Sequence, residues 1–171
     1  MESNHTDQAL EQAALAVASQ LKACGRQLAT AESCTGGWIA KVLTDVAGSS
    51  AWFDRGVVTY SNDAKAELLG VKEATLASYG AVSEEVAAQM ADGVRLGSGV
   101  DYGLSTTGIA GPGGGSADKP VGTVCFGWAL PDGIVETECH LFGGDREAVR
   151  RLSVICALRG LVDRINRSLT F

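Results

Sequence analysis

Hydrophobic residues recur every three or four positions in six stretches of the chain, the spacing of helices that bury one face. In the first stretch Leu10, Val17 and Leu21 share one face, and Gly25 closes the helix. Asp7 is predicted to cap its N-terminus. The other predicted helices cover residues 38–46, 61–69 and 73–79, a stretch that begins at Ser83 and extends through Val94, and residues 145–166.

Apolar runs rich in β-branched and aromatic residues predict the strands. They cover a short segment that ends at Ala29, followed by residues 53–60, 102–107, 121–130 and 134–142. The last two are joined by Pro131, Asp132 and Gly133, a sequence typical of a hairpin turn. This order predicts a single-domain layered α/β sandwich with a mixed parallel/antiparallel sheet flanked by helices. We assign residues 1–8 to a flexible N-terminal tail and residues 9–168 to this one domain.

Composition changes this picture little but excludes several classes of function. A chain of 171 residues with 46% hydrophobic and 20% charged residues is typical of one soluble globular domain. The formal net charge of -6 argues against a nucleic-acid partner, because such proteins carry a basic face, although a small anionic substrate stays possible. The N-terminus lacks the pattern of a secretory signal, and no apolar run has the length of a membrane span. We therefore expect no membrane partner.

The cysteines and histidines indicate no metal site. The five cysteines are scattered and never have Cys-x-x-Cys spacing, which indicates neither a zinc site nor a disulfide framework and fits a reducing cytoplasm. His5 and His140 are the only histidines, too few to favour a histidine metal site or a Ser/His/Asp triad.

The segment from residue 30 to residue 38 carries the strongest chemical signal. It places Ser33, Cys34 and Thr35 at a strand-to-helix turn, where backbone N–H groups and the helix dipole favour an anionic ligand or an oxyanion. Gly36 and Gly37 allow close approach of another backbone or a ligand. Taken alone, the turn is explained as well by Ser33 or Thr35 capping the helix. Cys34 is a second candidate nucleophile, since thiol pKa values fall near helix N-termini.

Three other features could serve this turn, and each has a simpler explanation. Lys65 lies on the first turn of a predicted helix, a position that the helix dipole disfavours, so it is either a buried proton acceptor or a solvated surface lysine. Arg146 could clamp a carboxylate or phosphate, or form an ion pair with a nearby acid. The glycine-rich loop 108–115 could cradle a phosphate, or be a plain loop, and it matches no standard nucleotide-binding motif.

Together these residues resemble the CinA C-terminal-domain family, the nicotinamide-nucleotide amidases. The resemblance rests on the order and spacing of short blocks across nearly the whole chain. The blocks are residues 30–37, 56–62, Lys65, 69–71, 81–83, 107–112, 119–124 and 144–146. The chain resembles the stand-alone form of the family, without the larger N-terminal domain of longer members.

The resemblance implies hydrolysis of the carboxamide of nicotinamide mononucleotide to nicotinic acid mononucleotide and ammonia, a step of pyridine-nucleotide salvage. It implies that Ser33 is the nucleophile, that Lys65 accepts its proton, and that Tyr60 orients or relays that proton. It also implies a homo-oligomer without a cofactor. The candidate oxyanion and substrate-binding residues are Thr35, Gly36, Gly37, Thr107, Gly108, Ala110, Gly111 and Arg146.

Two alternatives stay open at this point. The glycine segments and Arg146 could form a nucleotide-binding or sensor module without turnover, which would tolerate Ser33→Ala. A Cys34 thiol hydrolase would also survive Ser33→Ala, but would be inactivated by thiol alkylation.

Overall fold

The computed structural model describes residues 6–169. Within them the chain forms six α-helices, five strands and one short 3-10 turn. The helices are α1 (Asp7–Cys24), α2 (Trp38–Thr44), α3 (Asn62–Leu69), α4 (Glu73–Tyr79), α5 (Glu84–Ser98) and α6 (Arg146–Ser168). The strands are β1 (Leu28–Glu32), β2 (Phe53–Val58), β3 (Tyr102–Gly108), β4 (Thr123–Ala129) and β5 (Val135–Leu141).

The five strands form one mixed sheet in the order β2-β1-β3-β4-β5. Strand β1 lies parallel to both β2 and β3, whereas β4 pairs antiparallel with β3 and with β5. The hairpin predicted around Asp132 therefore joins β4 to β5. The predicted fold class, a layered α/β sandwich with a mixed sheet, is confirmed.

Helices cover both faces of the sheet. Leu28 of β1 and Leu104 of β3 belong to a core cluster with residues of α1, α2 and α6, whereas Ala29 and Ala31 of β1 belong to a second cluster with residues of α5. This division follows from the two-residue period of strands. Helix α5 lies so close to the sheet that two strand positions have no room for a side chain. A Cβ atom at Gly103 would lie 2.1 Å from a carbonyl oxygen of α5, and a Cβ atom at Gly127 would lie 2.4 Å from another.

Several predicted boundaries were wrong by a few residues. Thr6, not Asp7, caps α1, because the Thr6 hydroxyl accepts the Ala9 N–H at 3.1 Å. Residues 1–5 of the predicted tail lie outside the described residues, and Asp7 and Gln8 belong to α1. Helix α2 ends at Thr44, strand β2 ends before Thr59, and β3 continues through Gly108 of the predicted glycine loop.

The cysteine prediction also needs a correction. Cys125 of β4 and Cys139 of β5 are directly opposite each other in the sheet and form a disulfide. The sequence analysis missed it because it did not consider the register of the predicted hairpin, which brings the two cysteines together. The cytoplasmic location inferred from cysteine usage stays a prediction. No helix in the described part of the chain combines the length and apolar character needed to cross a bilayer.

Candidate active site

The three parallel strands bring the candidate residues together at one edge of the sheet. Glu32, the last residue of β1, pairs with Val58 of β2 on one side and Thr106 of β3 on the other. The segments that follow these positions carry Ser33, Tyr60 and Thr107 respectively. The carboxyl edge of parallel strands is the usual place for ligand sites in α/β sheets.

At this edge of the sheet, Ser33 and Lys65 lie within hydrogen-bond distance of each other. Lys65 Nζ lies 3.2 Å from Ser33 Oγ, 2.9 Å from the carbonyl oxygen of Thr59 and 3.4 Å from that of Tyr60. The Lys65 side chain is 1% exposed, which rules out the solvated surface lysine considered above. Helix α3, capped by the Ser61 hydroxyl on the Ala64 N–H, fixes Lys65 on its first turn.

The surroundings of Lys65 favour its neutral form. Burial lowers the pKa of the Lys65 ammonium from its ordinary value of 10.5. No carboxylate among residues 6–169 forms an ion pair with Lys65. Lys65 is therefore suited to accept a proton from an adjacent hydroxyl.

Glu32 holds the turn that carries Ser33. Its buried carboxylate accepts the Thr35 hydroxyl at 2.7 Å and the backbone N–H groups of Ile39 and Ala40 at 2.8 and 3.1 Å. Burial raises the pKa of the Glu32 carboxyl, while these donors act in the opposite direction. Glu32 thus accepts hydrogen bonds from backbone N–H groups at the start of α2, and the side chains of Ser33 and Thr35 do not cap this helix.

Cys34 is poorly suited to be the nucleophile. The side chain is 6% exposed, and burial raises the pKa of its thiol to about 12. The thiol stays protonated near neutral pH, and the thiolate is the reactive form. The geometry thus favours Ser33 over Cys34.

The backbone amides of the turn differ in whether they are already hydrogen-bonded. The Gly36 N–H donates to the Ser33 carbonyl at 3.0 Å, and the Trp38 N–H donates to the Thr35 carbonyl at 3.0 Å. Within residues 6–169, the N–H groups of Cys34 and Thr35 have no hydrogen-bond acceptor. Thr35 is fully buried, so of these two amides only that of Cys34 can reach a bound oxyanion.

A cleft of about 290 Å³ opens beside Ser33 and Lys65. Arg146 lies at its border, where the guanidinium donates to the Gly111 carbonyl at 2.8 Å and to the Tyr60 hydroxyl at 3.2 Å. No acid pairs with Arg146 in the described part of the chain, so the ion pair considered for it is not formed. The cleft is lined by Ser33, Cys34, Tyr60, Asn62, Lys65, Ala81, Val82, Thr107, Gly108, Ile109, Ala110, Gly111, Gly113, Gly114 and Arg146.

Most of the sequence-predicted site residues therefore meet in one cleft, with three exceptions. Thr35 is fully buried, and its hydroxyl contacts Glu32 and Thr106. Gly36 and Gly37 instead line a neighbouring shallow depression that also contacts Arg146. Tyr60 lines the cleft, but its side chain is 62% exposed and its hydroxyl bonds to Arg146, not to Lys65.

Two residues that hold the site were missed by sequence reasoning. Glu32 lies inside the segment from residue 30 to residue 38, and the signal for its role was a carboxylate next to a helix start that has no conventional cap. Arg150 of α6 donates to the carbonyl oxygens of Cys34 and Thr35 at 3.1 and 3.2 Å. The sequence carries no local signal for this contact, because Arg150 is 116 residues from Cys34.

Comparison with known protein families shows to which family the chain belongs. The model of the CinA C-terminal domain family matches residues 10–165. The chain belongs to the CinA C-terminal domain family. The family membership predicted from the short sequence blocks is therefore confirmed, and the match spans β1 through α6, including the Ser33 turn and Lys65.

Two proteins named as nicotinamide-nucleotide amidohydrolases are similar to the chain over most of its length. It is 56% identical to the nicotinamide-nucleotide amidohydrolase PncC of Escherichia coli strain K12, over 91% of this chain and 94% of that protein. It is 52% identical to the protein of the same name from Pseudomonas putida, over 83% of this chain and 88% of the other. These names agree with the amidase activity implied by the sequence resemblance.

The fold agrees with that of a solved structure. The crystal structure of the competence/damage inducible protein CihA from Agrobacterium tumefaciens matches with a TM-score of 0.89 and 45% identity. The match covers 92% of this chain and 96% of that one. The layered sandwich with its mixed sheet is therefore the fold of this CinA C-terminal domain.

Proposed function

We propose that this chain hydrolyses the carboxamide of nicotinamide mononucleotide, giving nicotinic acid mononucleotide and ammonia. The observation that carries the proposal is the 3.2 Å contact between Lys65 Nζ and Ser33 Oγ beside an open cleft. The names of the similar amidohydrolases supply the substrate class.

Lys65 acts as the general base for Ser33. A neutral amine has two N–H donors and one lone pair. The carbonyl oxygens of Thr59 and Tyr60 accept the two donors, which leaves the lone pair for the Ser33 hydroxyl. Burial of Lys65 keeps this neutral form accessible, because it lowers the pKa of the ammonium.

Ser33 Oγ attacks the carboxamide carbon as its proton moves to Lys65 Nζ. The carbonyl oxygen becomes an oxyanion, which the N–H group of Cys34 stabilises, because Cys34 lines the cleft beside Ser33. One well-placed donor of this kind contributes about 3 kcal/mol to the transition state. This assignment moves the expected donor from residues 35–37 to Cys34. Thr35 is fully buried, the Gly36 N–H is already bound by the Ser33 carbonyl, and Gly37 lines the neighbouring depression.

The intermediate collapses when protonated Lys65 gives its proton to the departing nitrogen, which leaves as ammonia. Water then attacks the serine ester, with Lys65 as base again, and the acid is released as Ser33 regains its proton. The overall reaction consumes one water molecule and needs no oxidant or reductant.

Arg146 binds the phosphate of the substrate. Arg146 has no carboxylate partner, and its planar fork suits a phosphate. Tyr60 supports this guanidinium through its hydroxyl, so its role is to organise the cleft border and not to relay the serine proton.

The physiological assignment follows from the reaction. We propose a role in pyridine-nucleotide salvage in the cytoplasm, because deamidation returns nicotinamide mononucleotide to the acid form of the nucleotide. A homo-oligomer and the absence of a cofactor stay predictions.

Ammonia release from nicotinamide mononucleotide by purified protein, in the presence of chelator, tests the proposal. We expect release by the native chain, and a loss of about a thousandfold or more in Ser33→Ala. Ser19→Ala on the exposed face of α1 is the matched control and should retain full activity. Equal release by native protein and Ser33→Ala would reject the serine mechanism, and no release from either would favour the binding-module alternative. A trapped ester on the Ser33 peptide in a mass spectrum would identify the nucleophile directly.

A further inference from the structure

Asn62 brings an amide side chain to the cleft beside Ser33. It is the first residue of α3 and lines the cleft together with Ser33 and Lys65. Asn62 and Lys65 are three positions apart, so their side chains start from the same side of the helix. The amide of Asn62 therefore opens onto the same space as the nucleophile and its base.

The helix itself does not use this amide. The Ser61 hydroxyl caps α3 by accepting the Ala64 N–H at 3.1 Å. The Asn62 side chain is exposed, and within residues 6–169 it forms no hydrogen bond. Its oxygen and its NH2 group are therefore both available to a bound ligand.

The other polar side chains of the cleft already have partners. The Thr107 hydroxyl donates to the Ala81 carbonyl at 2.8 Å, and Arg146 donates to the Tyr60 hydroxyl at 3.2 Å. The nucleophile and its base are bonded to each other. In the described part of the chain, Asn62 alone lacks a partner among the cleft-lining side chains that carry oxygen or nitrogen, which are Ser33, Tyr60, Asn62, Lys65, Thr107 and Arg146.

The proposed reaction fixes both ends of the substrate in this cleft. The carboxamide lies at Ser33 and the phosphate at Arg146. In nicotinamide mononucleotide the ribose joins the pyridine ring to the phosphate, so it occupies the space between these ends. Asn62 lies three residues before Lys65 and two after Tyr60, whose hydroxyl contacts Arg146. The segment that carries Asn62 thus connects the reactive end of the cleft with its phosphate end.

We propose that Asn62 is a specificity-determining residue that binds the two adjacent hydroxyl groups of the substrate ribose. The inference rests on the proposed function, and it assigns a side chain to the ribose. Each ribose hydroxyl can donate and accept a hydrogen bond, and the asparagine amide offers one acceptor oxygen and two N–H donors. Asn62 can therefore contact both hydroxyls, and the cleft should prefer a riboside to a deoxyriboside.

The experiment measures kcat and KM for ammonia release from nicotinamide mononucleotide and from its 2′-deoxyribose and 3′-deoxyribose analogues. Native protein is compared with Asn62→Ala and Glu67→Ala, after thermal unfolding has verified that each is folded. Glu67 is exposed on the same helix and does not line the cleft, which makes Glu67→Ala the matched control.

Asn62→Ala should raise KM for nicotinamide mononucleotide by about three- to tenfold, the effect of one neutral hydrogen bond. The kcat should stay within about twofold of the native value, because the ribose does not change in the reaction. Glu67→Ala should keep the native kcat and KM.

The deoxy analogues separate a contact with the ribose from general damage to the cleft. Native protein should lose about three- to tenfold in kcat/KM with at least one analogue. Asn62→Ala should hydrolyse that analogue and nicotinamide mononucleotide equally well, because the contact is already missing. Glu67→Ala should keep the native preference.

The outcomes separate this inference from the proposed function. Active native protein that hydrolyses all three substrates equally well overturns the inference alone. An Asn62→Ala variant that keeps the native preference for ribose also overturns it. Native protein that releases no ammonia from nicotinamide mononucleotide overturns the proposed function and the inference with it. If Asn62→Ala does not fold, Asn62→Leu carries the same comparison, with loss of the ribose preference as the supporting result.

Discussion

The Glu32 carboxylate accepts the backbone N–H of Ile39 at 2.8 Å, across the turn that contains Ser33. A glutamate at the end of a strand thereby takes the place that a serine or threonine cap usually has at a helix start. The Ser33 hydroxyl is therefore not needed to cap the helix, and it contacts Lys65 instead. The strand, the nucleophile and the helix are organised by one buried acid.

Glu32→Gln should weaken this arrangement. The amide keeps one acceptor oxygen but places an NH2 group where the carboxylate accepted a backbone N–H, leaving a buried donor without a partner. We expect the free energy of unfolding to fall by about 1–3 kcal/mol, with lower kcat. Denaturant unfolding measures the first quantity, and Glu11→Gln on the exposed face of α1 is the control. Native stability in Glu32→Gln would show that these contacts contribute little.

The pH dependence of turnover should report the protonation of Lys65. Only the neutral amine can accept the Ser33 proton, so kcat should rise with pH and level off above the pKa of Lys65. Since burial lowers that pKa, the midpoint should lie below the ordinary lysine value of 10.5. Below the midpoint kcat should fall about tenfold per pH unit. A kcat that does not fall at any pH below 10.5 at which the protein stays folded would contradict a lysine base.

The stability of the protein should depend on pH through the same residue. A lysine whose pKa is lower in the folded than in the unfolded chain binds fewer protons when folded, so stability rises with pH between these two pKa values. Comparison of the native chain with Lys65→Met isolates this effect. We expect the free energy of unfolding of the native chain to increase relative to Lys65→Met as pH rises toward 10.5. Parallel curves over this range would mean that Lys65 titrates normally.

Cys34 should react slowly with alkylating reagents despite its place beside Ser33. Its thiol is buried and its pKa is raised to about 12, so little thiolate is present at neutral pH. Cys24, at the end of α1 and half-buried, is the internal comparison. Mass spectrometry of peptides from the native protein should show Cys24 labelled before Cys34. Faster labelling of Cys34, accompanied by loss of activity, would instead support the hypothesis that Cys34 is the nucleophile.

Local patterns predicted the elements and the nucleophile turn, but not the contacts that hold the turn. Periodicity placed α1 to α6, and Lys65 stood out because the helix dipole disfavours it there. Arg150 could not be found, since its partners are carbonyl oxygens, which have no sequence signature. The disulfide could have been found: Cys125 and Cys139 are each seven residues from Asp132, so a symmetric hairpin pairs them.

Arg146 should contribute to substrate binding through the phosphate. The guanidinium borders the cleft and has no acidic partner among residues 6–169, so a phosphate can bind to it without displacing an ion pair. A charged hydrogen bond contributes about 1.5–3 kcal/mol, which predicts that Arg146→Ala raises KM for nicotinamide mononucleotide by about tenfold or more. Nicotinamide riboside, which lacks the phosphate, should be affected much less, and this difference between substrates separates phosphate binding from general damage to the cleft. Arg55→Ala, at the exposed edge strand, is the charge-matched control. An equal effect on both substrates would place the phosphate elsewhere and leave Arg146 with a structural role at Gly111 and Tyr60.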